Sequence, residues 1–253
     1  MNNMLFMNIS SYSVFWVDHL FVAIFALAVP IAGFKGYRES TARLHSGGIS
    51  RIAAYMRTIR MQWWLALMAA VLWLVQGRSW AELGYRLSLD GGFMLAAALV
   101  LLVIIFFSMQ LRGIRSADSE TQDKLTREFE PVRDLMPQSG AELRVYYGLS
   151  LTAGIVEEML WRGFLILYLG QIVPVWAAAV ASGILFGLAH AYQGLASLPK
   201  LCAAGLLLSG LFLLSGSLWL PMVLHVIVDA LQGRAAFDLS QMRRSSGELS
   251  AVI

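Results

Sequence analysis

Residues 147–169 read YGLSLTAGIVEEMLWRGFLILYL, an apolar stretch that nevertheless carries Glu157, Glu158 and Arg162. A hydrocarbon core about 30 Å thick needs about 20 apolar residues in one helix, so this stretch is long enough to cross a bilayer. A charged side chain at the bilayer centre costs about 2.5–3.5 kcal/mol on insertion scales, and such residues usually face a protein interior or a water-filled cavity. The stretch therefore predicts a membrane helix that carries a functional site.

The composition of the whole chain indicates the same lipid surroundings. Hydrophobic residues make up 58% of the 253 residues and charged residues only 14%, against about 25% charged in a typical soluble domain. The mean hydropathy of +0.66 is also high. We predict an all-α fold, a polytopic transmembrane helical bundle.

The apolar pattern predicts about seven spans, within a range of six to eight. They lie near residues 14–33, 59–76, 91–109, 147–169, 173–192, 200–216 and 218–235. This pattern divides the chain into three parts: N-terminal transmembrane helices over 1–146, motif-bearing helices over 147–235, and a polar C-terminal tail over 236–253. The first part ends in a cytoplasmic amphipathic loop at 110–146, where Leu125 and Phe129 recur at helical spacing. Such spacing predicts a helix lying on the membrane surface.

Charge placement predicts the topology, because Lys and Arg collect in cytoplasmic loops. Most of the 19 basic residues lie in 34–60, in 110–146 and near the C-terminus. We expect the N-terminus outside and the C-terminus in the cytoplasm of a bacterial-type cell membrane. The net charge of +3 follows from this topology, and no basic motif with interleaved aromatic residues indicates nucleic-acid binding. Asp18, near the outer end of the first span, is interpreted as a boundary residue in contact with interfacial water.

Helical geometry separates the roles of the two adjacent glutamates. Glu158 and Arg162 are four residues apart, so they share a helix face and can form an ion pair. Glu157 points about 100° away and has no partner within its own helix. A buried carboxylate without a partner can take a proton from water near neutral pH, so Glu157 is the candidate base.

Two further pairs with the same spacing follow on separate apolar spans, Phe186-x-x-x-His190 and His225-x-x-x-Asp229. Around a scissile amide, these groups can act in two ways. They can bind a divalent metal, zinc being one candidate, that activates water. Alternatively, Glu157 can activate water without a cofactor while other groups donate hydrogen bonds to the oxyanion. The candidate metal ligands are Glu157, His190, His225 and Asp229. The sequence does not choose between the two, and the zinc-protease signatures give no support for a metal, because His-Glu-x-x-His and its inverted form are both missing.

Three ordered motifs carry a family resemblance: EEMLWRG at 157–163, FGLAH at 186–190 and HVIVD at 225–229. Over about residues 147–233 the chain resembles the CAAX proteases and bacteriocin-processing enzymes, the CPBP or ABI family of intramembrane endopeptidases. The resemblance implies a water-activating role for Glu157, with His190 as its partner. It implies oxyanion stabilisation by His225 and Asp229, and a structural role in the site for Glu158 and Arg162.

One motif residue departs from the family pattern, because Asp229 stands where Asn is commoner. An ionised Asp only accepts hydrogen bonds, so it suits the orientation of His225 or the binding of a metal better than an oxyanion hole.

The resemblance implies an intramembrane endopeptidase that hydrolyses a peptide bond of a membrane-associated protein or peptide. One alternative is a proton- or ion-coupled transporter, in which the same residues would form a relay. A transporter would more readily show inverted repeats and broken helices, and the sequence shows neither. A second alternative is a catalytically silent membrane scaffold of the same family. Nothing in the sequence encodes whether the substrate is prenylated.

Overall fold

A computed structural model describes residues 14–245, and within this range the chain forms helices and no strand. The all-α prediction is thus confirmed. The helices, in chain order, are α1 Trp16–His45, α2 Arg51–Val75, α3 Gly91–Ser116, α4 Ser119–Phe129, α5 140–169, α6 Val175–Ala189, α7 Leu198–Ser215 and α8 Trp219–Ser245. Short 3-10 turns at Glu130–Leu135, Ala191–Gln193 and Leu195–Ser197 lie in two of the connections.

Polar side chains fix where several of these helices begin. Ser50, Asp90 and Asp118 each accept a hydrogen bond from a backbone N–H of the first turn of α2, α3 and α4. Ser139 and Glu142 form a reciprocal capping box at the start of α5. Such caps satisfy N–H groups that have no partner within the helix.

Among residues 14–245, five helical segments are long and apolar enough to cross a membrane, so the chain is an integral membrane protein. They are Trp16–His45, Arg51–Val75, Gly91–Ile114, Leu195–Ser215 and Trp219–Ser245. The two remaining predicted spans coincide with α5, which carries the charged motif, and with α6, which has only 15 residues. Each of the seven predicted spans therefore corresponds to one helical element.

The segment predicted as an amphipathic loop at 110–146 is largely helical. It contains the end of α3, all of α4 and the start of α5. Leu125 and Phe129 pack against the buried side chains of Ile114 and Leu239. The apolar face of α4 is thus directed at the protein, and the position of this helix at the membrane surface stays a prediction.

The segment predicted as a polar tail also differs from the expectation as far as it is described. Helix α8 continues without a break to Ser245, and Ala236 and Leu239 on it are buried. The remainder of the predicted tail, 246–253, lies outside the described residues.

Helix α5 is the central element, because it packs against both α2 and α8. An aromatic cluster surrounds Phe164 on α5, with the rings of Phe21, Phe25 and Trp73 at centroid distances of 5.0, 6.1 and 6.0 Å. These edge-to-face contacts join α1, α2 and α5 on the side of the motif helix that carries Phe164.

Helices α6 and α7 approach each other through glycines. A methyl group added to Gly183 would lie 2.9 Å from the backbone of Gly205, and one added to Gly187 would lie 2.8 Å from Cα of Cys202. Small residues at every fourth position allow such close backbone contact in membrane helices. The approach brings the backbone of α7 next to the motif helix.

The interpretation of Asp18 as a boundary residue in contact with water is wrong. Its side chain is fully buried and pairs with Arg78, whose two terminal nitrogens lie 2.9 and 2.6 Å from the carboxylate oxygens. The backbone N–H of Phe15 also donates to it, at 2.8 Å. The partner comes from the connection between α2 and α3, which places the ion pair inside the protein.

Candidate active site

The motif helix departs from regular α-helical geometry where its charged residues lie. Residues Met159–Leu165 form a buried π-helical segment within α5. Such segments are rare and often occur at functional sites. A methyl group at Gly163 in this segment would lie 3.0 Å from the side chain of Leu83, so the motif glycine allows the loop before α3 to pack on the helix.

Glu158 and Arg162 form the ion pair predicted from their spacing. Arg162 Nη1 donates to Glu158 Oε1 at 2.8 Å, and both side chains have no solvent exposure. His225 Nδ1 lies 2.7 Å from the same oxygen. Because a carboxylate oxygen only accepts, His225 carries a proton on Nδ1. One carboxylate thus ties α5 to α8.

Two further contacts hold the Arg162 guanidinium. Nη2 donates to the backbone carbonyl of Gly205 at 3.1 Å, and the guanidinium carbon lies 4.3 Å from the centre of the Phe186 ring. A cation over an aromatic face is attracted by the ring quadrupole. The buried charge is therefore compensated by groups on α5, α6 and α7.

Glu157 faces a second group of residues. Its Oε2 lies 3.5 Å from His190 Nε2, with no hydrogen bond to that oxygen from any described residue. Its Oε1 accepts a hydrogen bond of 2.7 Å from the Gln62 side-chain nitrogen on α2. His190 Nδ1 lies 2.8 Å from the backbone carbonyl of Phe186. A carbonyl can only accept, so Nδ1 carries a proton and Nε2 is the ring nitrogen that faces Glu157.

The third motif lies beside these groups. His225 Nε2 is 3.6 Å from Asp229 Oδ2, and the Asp229 side chain retains 35% exposure. The Phe186 ring contacts both imidazoles, at 4.5 Å from His190 and 5.9 Å from His225. The structure therefore brings the six predicted site residues into one connected group, in which the Phe186 ring contacts Arg162, His190 and His225.

A tyrosine borders the site on the side of the turn after α6. The Tyr192 ring centre lies 5.8 Å from that of His190 and 5.2 Å from that of Tyr37 on α1. Burial, with the nearby charges of Glu157 and Asp229, raises the pKa of Tyr192 to about 12. Its hydroxyl therefore stays protonated at neutral pH and can donate a hydrogen bond.

Sequence reasoning missed three residues of this arrangement: Gln62, Tyr192 and Gly205. Gln62 and Tyr192 are uncharged, and Gly205 contributes only a backbone carbonyl. The one available signal was a glutamine, Gln62, inside an apolar span, since polar residues there usually face the interior of the bundle.

The segment that carries the three motifs is similar to a known protein family. Residues 140–231 match the Rce1-like family. Its description is type II CAAX prenyl endopeptidase Rce1-like. The match contains all three motifs and covers about a third of the 253-residue chain. It confirms the predicted resemblance of this region to the CAAX proteases. No curated protein and no solved structure matches the chain significantly.

The metal alternative requires several donors around one point. Between residues 14 and 245, no three His, Cys, Asp or Glu side chains form a group that could hold a metal ion. His225 Nδ1 already donates to Glu158, which leaves only Nε2 free to act as a ligand. The side chains of the site are therefore not grouped as the ligands of one ion among the described residues. The metal requirement stays a prediction, and chelation tests it.

Proposed function

We propose that this protein is an intramembrane endopeptidase that hydrolyses a peptide bond of a membrane-associated protein or peptide with water activated by Glu157. The observation that carries the proposal is the pairing of Glu157 with His190 across 3.5 Å, next to the buried Glu158, Arg162 and His225 network. The family match of the surrounding segment supports the same class of reaction.

The first step assigns the base. Glu157 Oε2 takes a proton from water, and the resulting hydroxide attacks the carbonyl carbon of the scissile amide. This oxygen is buried and accepts no hydrogen bond from the described residues, so it is available to a water molecule. A positioned base of this kind contributes about 10²–10⁴-fold to the rate.

The second step returns the proton. As the tetrahedral intermediate collapses, the C–N bond breaks and the proton on Glu157 passes through His190 Nε2 to the leaving amine nitrogen. The hydrogen bond from Nδ1 to the Phe186 carbonyl keeps Nε2 directed at Glu157 during this transfer. Glu157 is then a carboxylate again, and the products are one carboxyl and one amine terminus.

Oxyanion stabilisation is assigned to His225. Its Nδ1 donates to the buried Glu158, and Asp229 lies 3.6 Å from Nε2. Two carboxylates favour the doubly protonated imidazole, which can donate from Nε2 to a developing oxyanion. Asp229 then orients His225, which agrees with the chemistry of an ionised Asp at this position.

Access from the cytoplasmic side is also part of the proposal. The Tyr37 hydroxyl donates to the carbonyl of Pro131 at 2.7 Å, and the Tyr37 ring packs on Tyr192 beside the site. Pro131 belongs to the segment between α3 and α5, which the charge distribution predicts to be cytoplasmic. The site thus lies close to the basic face of the molecule, where a protein tail anchored in the membrane can enter.

The test uses the purified protein in detergent with a library of lipid-anchored and membrane-embedded peptides, prenylated C-terminal peptides included. Wild type is compared with Glu157→Ala and His190→Ala, each with and without chelator. We expect wild-type cleavage that resists chelation and is lost in both variants. Loss on chelation would favour the metal alternative. Cleavage that persists in both variants would contradict the proposal and favour the transporter or scaffold alternative.

A further inference from the structure

Gln62 is the described residue outside the matched segment that donates a hydrogen bond to the candidate base. It lies on α2, within an apolar span, and its side-chain nitrogen donates to Glu157 Oε1 at 2.7 Å. The residue is 92% buried, since only 8% of its surface is exposed. A polar side chain held in an apolar helix at this burial needs partners for all of its polar atoms.

Both side chains of this pair retain an unused acceptor. Gln62 Oε1 and Glu157 Oε2 are buried, and neither accepts a hydrogen bond from any described residue. His190 Nε2 lies 3.5 Å from Glu157 Oε2. One small molecule with two donor hydrogens can satisfy both buried acceptors, and water is such a molecule.

We propose that Gln62 is a positioning residue of the hydrolytic site, which holds Glu157 through its amide nitrogen and orients the attacking water through its amide oxygen. In this arrangement one water hydrogen is directed at Glu157 Oε2 and the other at Gln62 Oε1. The first hydrogen is transferred, while the second stays on the attacking oxygen. The inference rests on the proposed function and extends the site to α2.

The geometry explains why the base needs a partner from another helix. Glu158 is fixed by Arg162 on its own helix, whereas Glu157 points away from that pair and cannot use it. Without Gln62, Glu157 Oε1 would lose this hydrogen bond, and the carboxylate could rotate away from His190. Misplacement of a catalytic group by about 1 Å can reduce the rate by about 100-fold.

A matched control lies at the end of the same helix. Gln76, at the C-terminal end of α2, also donates to a buried carboxylate, that of Asp18 at 3.4 Å, and its Oε1 likewise has no partner among the described residues. Gln62→Met and Gln76→Met remove the same amide in similar settings. Only the first lies next to Glu157.

The experiment measures kcat and KM of both variants against a peptide that wild type cleaves. We expect Gln62→Met to lower kcat by about 10- to 100-fold with KM nearly unchanged, and Gln76→Met to leave both constants near the wild-type values. An equal kcat for Gln62→Met and wild type would overturn the inference. If Glu157→Gln in the same assay keeps full activity, the proposed function itself fails, so the two failures are distinguishable.

A spectroscopic readout tests the inference without substrate. The carboxylate stretching band of Glu157 is assigned by the infrared difference between wild type and Glu157→Gln. Loss of the hydrogen bond to Gln62 should shift this band in Gln62→Met and not in Gln76→Met. A band at the wild-type frequency in Gln62→Met would show that Gln62 does not hold Glu157, which overturns the inference.

Discussion

Glu158 Oε1 lies 2.7 Å from His225 Nδ1, although the two residues are 67 positions apart in the sequence. The same oxygen accepts from Arg162 at 2.8 Å. A single buried carboxylate therefore joins the motif helix α5 to the last helix α8, and the orientation of His225 depends on it.

Replacement of Glu158 by Ala should destabilise the protein strongly. The change leaves the Arg162 guanidinium buried without its counter-charge, which costs about 3–5 kcal/mol in comparable cases. Thermal unfolding in detergent, followed by circular dichroism, measures the loss.

The control for this experiment is an exposed ion pair with the same spacing. Lys124 lies 2.8 Å from Glu120, and both side chains are largely exposed. Glu120→Ala should cost less than about 1 kcal/mol. Similar losses of stability in Glu120→Ala and Glu158→Ala would show that burial does not increase the contribution of the Glu158 ion pair to stability.

Replacement of Gly205 by Ala should separate α6 from α7. The added methyl group would collide with the carbonyl of Gly183, and the Gly205 carbonyl is also the acceptor for Arg162. Overpacking of this kind costs about 1–3 kcal/mol, so the melting temperature and the cleavage rate should both fall.

Gly210 on the same helix is the matched control, because a methyl group there meets nothing within 4 Å. Gly210→Ala should be neutral or stabilise the protein by up to about 1 kcal/mol, since Ala has the higher helix propensity. A Gly205→Ala variant as stable and active as Gly210→Ala would show that the close approach of α6 and α7 contributes to neither stability nor activity.

The sequence predicted the fold and the motif contacts because both depend on local spacing. Seven apolar stretches gave seven helical elements, and the spacing of four residues gave the pair of Glu158 and Arg162. The roles of the site residues stay predictions that the experiments above address.

Long-range partners could not be derived in this way. The contact of Gln62 with Glu157 spans 95 residues, and the contact of Asp18 with Arg78 spans 60. Neither pair shares a helix, so no periodicity links its members. The sequence predicts Asp18 at the interface because charges near span ends usually contact water. The ion pair with Arg78, which comes from a distant loop, makes the burial of Asp18 possible.

Replacement of Asp18 by Leu should destabilise the end of the bundle at which α1 begins, because the Arg78 side chain is only 6% exposed and would lose its ion pair with Asp18. We expect a loss of about 3–5 kcal/mol from the single change. The double variant Asp18→Leu with Arg78→Met removes both charges and should recover part of that loss. Thermal unfolding of the four proteins in this cycle measures the coupling. A double variant no more stable than the single one would contradict the ion-pair account.

Replacement of Tyr192 by Phe should leave the pH profile of cleavage unchanged on its alkaline side. Burial raises the pKa of Tyr192 to about 12, so its neutral form persists through pH 10 and its ionisation cannot limit activity there. The lost hydroxyl should lower kcat/KM by less than about tenfold, the range of one neutral hydrogen bond. Profiles of both proteins from pH 6 to about 10 provide the measurement. An alkaline decline present in wild type and missing in Tyr192→Phe would mean that this tyrosine titrates in the active range.

The most direct test of the central claim compares kcat of wild type and Glu157→Gln on one cleaved peptide, with thermal unfolding measured in parallel. Gln has nearly the same shape as Glu but cannot take a proton from water. We predict that Glu157→Gln lowers kcat by about 10²–10⁴-fold while the melting temperature stays close to that of wild type. A Glu157→Gln variant that folds and cleaves at the wild-type rate would contradict the assignment of Glu157 as the base.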